Sequence, residues 1–215
     1  MRPTHSFARL LALILSLSLN GMAFADTDQL RLRITQGQTF IEVVGQNNVF
    51  AGTNPQRSLQ VGYVSRLVGV TSVFSTTPKD EKSANLTFTN DVLRTQVNTT
   101  GTVSVIQRDG TFTIYLNSLP ADFTVLSSFS TGVPILTGTS HQQVTVDNTA
   151  GSFSAYTDVE ITSTANFALD GNTYELGKTG DTFRVHYYGA VTGATVPSAF
   201  FGGYALGTGK STDKD

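Results

Sequence analysis

Residues 102–116 read TVSVIQRDGTFTIYL. Apolar and polar side chains alternate along the stretch, with Asp109-Gly110 in its middle. A period of two marks a half-buried strand. Asp-Gly is the pair that a two-residue type I′ turn selects, because both of its central residues need positive φ. The stretch therefore predicts an antiparallel hairpin with a fixed register. Val105 faces Ile114, Val103 faces Leu116 and Gln107 faces Phe112 on one side. Ser104 with Tyr115, Ile106 with Thr113 and Arg108 with Thr111 take the other.

The same grammar recurs outward from this segment. Asp170-Gly171 predicts a second tight hairpin, with Leu169 opposite Asn172, Phe167 opposite Tyr174 and Ala165 opposite Leu176. Asn98-Thr99-Thr100-Gly101 and Asn148-Thr149-Ala150-Gly151 read as longer turns. Upstream, Leu30, Leu32 and Ile34 alternate with Arg31, Arg33 and Thr35. Residues 59–75 form a β-branched run broken by Gly62 and Gly69, which reads as two strands or one bent strand. Residues 76–83 are a polar loop, and Leu119-Pro120-Ala121-Asp122 opens a short helical turn. A last strand is expected over residues 200–206, with Phe200, Phe201 and Tyr204 in the core. Strands joined in sequence by short turns make a meander. The fold class that follows is all-β: one antiparallel barrel or sandwich, the barrel favoured.

Composition supports that class. The chain has no cysteine, so disulfides, thiolate catalysis and zinc–thiolate sites are excluded. It has no tryptophan, which weighs against an immunoglobulin core. At the N-terminus, Arg2 and Arg9 precede an uncharged run over residues 10–19, and Ala23-Phe24-Ala25 precedes Asp26. This is the pattern of a cleaved export leader, too short to span a bilayer. The expected organisation is a leader over 1–25, a β domain over 26–207 and a disordered polar tail over 208–215. The expected location is the periplasm or the extracellular space. Losing Arg2 and Arg9 with the leader takes the formal net charge from −2 to −4. That leaves no basic footprint for nucleic acid.

Chemistry-bearing motifs are few. Gly207-Thr208-Gly209-Lys210-Ser211-Thr212 resembles the end of a phosphate-binding loop, but Tyr204 stands where its first glycine belongs. Asn85-Leu86-Thr87 and Asn98-Thr99-Thr100 match the glycan acceptor pattern and read as surface residues. No Gly-x-Ser-x-Gly elbow occurs. After the leader the histidines are His141 and His186, without metal-ligand spacing, so neither a metal nor a cofactor is expected. Near residue 186, Arg184, His186 and Tyr188 share one strand face, and Asp158 and Glu160 share a face of another. Polar faces of half-buried strands point to solvent by default. Were these two to meet inside a barrel, they would form a charged pocket fit for acid–base chemistry.

Three functional readings follow. The first is an exported, non-enzymatic binding or structural protein, with a small molecule or another protein as partner. The second is a small barrel isomerase or hydrolase using His186, Tyr188, Arg184, Glu160 and Asp158. The third, a small outer-membrane barrel, needs an outward apolar band. Here the presumed outward faces carry Thr, Ser, Arg and Glu, so stable membrane insertion is not expected.

Overall fold

The computed structural model describes residues 30–210. The expected leader, and the part of the expected tail beyond Lys210, lie outside the described residues. The strands in chain order are β1 (Leu30–Leu32), β2 (Thr39–Phe50), β3 (Arg57–Leu67), β4 (Leu86–Thr100), β5 (Val103–Leu116), β6 (Val133–Asp147), β7 (Ser152–Thr164), β8 (Phe167–Leu169), β9 (Asn172–Leu176), β10 (Asp181–Val191) and β11 (Ala199–Lys210). Strands β2 to β7 pair consecutively, β10 joins β7, and β11 returns to β2. The result is a closed, eight-stranded antiparallel barrel, as the meander predicted. β1, β9 and β8 form a small separate sheet.

Three of the four predicted turns are present. Asp170-Gly171 joins β8 to β9 with φ of 50° and 77°, as a type I′ turn requires. The turns at 98–101 and 148–151 join β4 to β5 and β6 to β7. The fourth is a correction. Asp109-Gly110 is not a turn, because β5 runs straight through it, paired with β4 on one side and β6 on the other. Neither residue has positive φ. Gly110 serves close packing instead: a Cβ there would collide with the backbone carbonyl of Asp91 on β4. The register changes accordingly. Val105 lies opposite Asn98 and Thr145, and Ile114 opposite Phe88 and Leu136.

Strand parity decides the core. On β5 the even positions Arg108, Phe112 and Ile114 are buried; on β10 it is Phe183, Val185 and Tyr187. Their rings run in a chain of contacts across the barrel, from Phe40 to Phe183, Phe112, Phe88, Phe201 and Tyr187, with centroid separations of 4.7–6.4 Å. Each such buried aromatic contributes about 1.5–3 kcal/mol by removal from water. The small sheet closes one end of the barrel, adding Leu32, Phe167, Leu169, Tyr174 and Leu176 to the same core.

Three further expectations need correction. Phe200, Phe201 and Tyr204 do not share the core: Phe201 is buried, whereas Phe200 is 52% exposed and Tyr204 also faces outward. Neighbours on a strand point to opposite sides, so one aromatic of the pair had to lie outside. The last strand also continues through Thr208 to Lys210, with Thr182 opposite Gly209 and Asp181 opposite Lys210. The glycines of the apparent phosphate loop are thus sheet residues. The helical turn expected at 119–122 is absent there; a 3-10 helix instead spans Leu126–Ser130. It lies within the β5–β6 connection, where Phe129 packs with Val61 and Ala121 and its carbonyl accepts a 2.8 Å bond from the Thr87 hydroxyl.

The outer wall mixes charge pairs with exposed apolar strand residues such as Val44, Leu93, Tyr188 and Phe200. Four ion pairs lie along it: Glu42–Arg66, Asp91–Arg57, Asp109–His141 and Asp158–Arg184. An outward apolar band of the kind that seats a barrel in lipid is interrupted by these charges. Among the described residues no helix is long and apolar enough to cross a membrane.

Candidate functional site

The polar residues singled out on β7 and β10 do meet, but on the outside of the barrel. Arg184 lies opposite Asp158 and donates two 2.7 Å hydrogen bonds to its carboxylate, from Nε and Nη2. That pair holds the Arg184 charge in place, raising its pKa chiefly through the hydrogen bond to Asp158. His186 lies opposite Tyr156 and shares a 3.1 Å hydrogen bond between Nε2 and the Ser154 hydroxyl. Tyr188 is 60% exposed. Glu160 lies opposite Thr182, four residues along β10 from His186, or about 13 Å at strand rise. Arg184 and Asp158 are therefore brought together, while Glu160 and His186 are not. None of the five enters the barrel interior. Among the described residues, no cluster of three or more His, Asp or Glu side chains is assembled in metal-binding geometry.

The interior holds a different polar group. Gln60 on β3 and Gln142 on β6 exchange amide hydrogen bonds across the barrel, 3.0 Å each way. Asn90 donates to the Gln60 carbonyl at 3.0 Å, Ser140 donates to Asn90 at 2.8 Å, and Gln142 donates to the Thr157 hydroxyl at 2.8 Å. All of these side chains are buried. They form a continuous polar layer between the aromatic core and the open end. A buried amide is tolerated only when its hydrogen bonds are made, and here each finds partners on neighbouring strands.

Above this layer the barrel opens into a cavity of about 180 Å³. Its wall is apolar, built from Val49, Ile106, Val144, Val146, Phe153 and Val191. These are inward-parity residues of β2, β5, β6, β7 and β10. The rim is tied down by Asn47, which accepts from Ser58 and donates to Ser198, both at 2.6 Å.

One charge enters this cavity, from Arg108. Its side chain is 5% exposed. Nη1 donates to the Gln142 side-chain oxygen at 3.2 Å, and Nε has no partner. No ion pair reaches it among the described residues, and the charge that acts on its pKa is another cation, Arg94. Burial, with Arg94 adding to it, pulls its pKa down to about 10. Tyr187, below, is also buried with a hydroxyl that has no partner. Burial pushes that phenol above its ordinary pKa.

Sequence reading missed Arg108 because the supposed turn at Asp109-Gly110 put it with Thr111 on the outer face. Read as one continuous strand, residues 106, 108, 110, 112 and 114 share a face, and Arg108 is its single charge among Ile106, Gly110, Phe112 and Ile114. No family model matches this chain, nor does any curated protein or solved structure, so the mouth and its buried guanidinium are interpreted from their own geometry.

Proposed function

We propose that this protein is a binding module, exported by its leader, that holds a small and largely apolar molecule in the mouth of its barrel. The observation that carries this reading is the cavity: about 180 Å³, open at one end, walled by valines, Ile106 and Phe153. An apolar cavity of about 150 Å³ accommodates benzene, so an occupant with an apolar part of about six to eight carbons is the right scale. Apolar walls with a few convergent polar groups at the base are the usual make-up of a small-molecule pocket. The rest of the barrel suits a rigid container, since its lower half is filled by interlocked rings and its far end is capped by β1, β8 and β9.

The reading is tested by calorimetric titration with six- to eight-carbon alcohols and acids, on the wild type and on Val146→Trp. Val146 lines the mouth and is only partly buried, so an indole there fills the cavity while the core below stays intact. Saturable binding to the wild type, reduced at least tenfold in the variant, supports the proposal. No binding to the wild type at millimolar concentrations, or binding that the variant leaves unchanged, overturns it.

A further inference from the structure

We infer that the occupant of the barrel mouth carries a carboxylate, and that Arg108 is the residue that receives it. This rests on the binding role proposed above and specifies its chemistry.

A buried cation without a counter-ion is a rarity, because desolvating a charge is costly unless it is paired. Arg108 is such a case. The acidic groups that could have served it are turned away or engaged. Asp91, Asp109 and Asp158 are paired with Arg57, His141 and Arg184 on the outer wall. Asp147, near the mouth, accepts from the backbone amides of Thr149 and Ala150 in the adjoining turn. The other polar side chains lining the cavity are neutral: Asn47, Gln56, Gln60 and Ser198. Arg94, whose Nη1 donates to Gln56 at 3.3 Å, adds positive potential.

The geometry selects the shape of the missing anion. A guanidinium matches a carboxylate through two parallel hydrogen bonds from one edge. Arg57 and Arg184 both use Nε and Nη2 for this, at 2.7 Å on each bond. Arg108 makes its protein bond through Nη1, and its Nε is the atom without a partner. The edge used elsewhere in this molecule for carboxylates is buried here without a protein partner, on a residue that lines the cavity. An acid entering head first would bring its carboxylate to the guanidinium, which turns to present that edge, and lay its hydrocarbon part along Ile106, Val144, Val146 and Phe153. The head would replace the water that the guanidinium lost on burial.

The test is calorimetric titration of hexanoate and of 1-hexanol, which share a chain and differ in the head group, at neutral pH. Wild type and Arg108→Met are compared, with the ¹⁵N resonance of the Arg108 Nε–H group followed in the wild type. The inference expects hexanoate to bind the wild type at least tenfold more tightly than hexanol and to shift that resonance. In Arg108→Met, hexanoate should lose at least tenfold while hexanol is retained. If Arg108→Met does not fold by circular dichroism, Arg108→Gln takes its place. Equal binding of both probes to the wild type, unchanged by the substitution and with an unmoved Nε–H resonance, overturns the carboxylate inference and leaves the mouth as a neutral pocket. Binding of neither probe to folded wild type overturns the pocket reading and this inference with it.

Discussion

Arg108→Met should stabilise the empty protein. Burial that lowers the guanidinium pKa from its ordinary value to about 10 disfavours its charged form by about 3 kcal/mol, at about 1.4 kcal/mol per tenfold. Methionine has a comparable length, no charge and no donor to satisfy. The substitution also removes the 3.2 Å bond from Nη1 to Gln142, worth about 1.5 kcal/mol net. Gln142 keeps its carbonyl satisfied, since Gln60 donates to it at 3.0 Å. The balance is a gain of about 1–2 kcal/mol. For a domain of this size each kcal/mol moves Tm by about 2–4 °C, so Tm should rise by about 2–8 °C in calorimetry without ligand. Arg184→Met is the control: its ion pair sits on the outer wall, partly exposed, and should change stability by less than about 1 kcal/mol. A fall in Tm of several degrees for Arg108→Met would mean that the Arg108 charge is compensated in the folded protein, and the argument from an unpaired cation would fail.

Other substitutions probe other parts of the fold. Gly110→Ala should cost more than about 2 kcal/mol in urea unfolding, because its Cβ has no room beside the Asp91 carbonyl. Gly171→Ala, where the φ of 77° is the difficulty and the space is open, should cost about 1 kcal/mol. Phe129→Ala should lose about 3–5 kcal/mol if the β5–β6 connection packs as described, measured the same way. Tyr187→Phe removes a hydroxyl that has no partner and should be neutral or slightly stabilising at pH 7. It should also blunt alkaline unfolding. The native phenol has a raised pKa and holds its proton while the unfolded one releases it above about pH 10, so wild-type stability falls as pH rises through that range. Absorbance at 295 nm against pH, with stability measured in parallel, checks both statements.

Much of the barrel was legible because alternation and turn chemistry are local. Residues 183–188 sort correctly into Phe183, Val185 and Tyr187 inside and Arg184, His186 and Tyr188 outside. Asp170-Gly171 adopts the turn its composition asks for. Asp109-Gly110 has the same composition and does not turn. Two neighbouring strands, β4 and β6, pair with β5 along its whole length, and those hydrogen bonds outweigh a local preference for a turn. That one misreading hid the site. A two-residue turn after Arg108 sends its side chain to the outer face, whereas a continuous strand sends it to the interior. The polar faces of β7 and β10 follow the default reading and look outward, so the conditional interior pocket is not formed. Sequence shows that polar residues share a face, but whether that face looks in or out depends on which way the sheet curls, and that is a property of the whole barrel.

The seam between β2 and β11 joins chain segments about 160 residues apart, and it is what turns a curled sheet into a cylinder. Until residues 199–210 arrive, β2 and β10 are bare edges with unpaired amides, and the aromatic chain lacks Phe201. Closing a loop of that length is entropically slow and happens late. A polypeptide that ends before residue 199 lacks one of the eight barrel strands and has no partner for the facing edges of β2 and β10. Closure of the cylinder is thus available only to a chain that reaches its last strand.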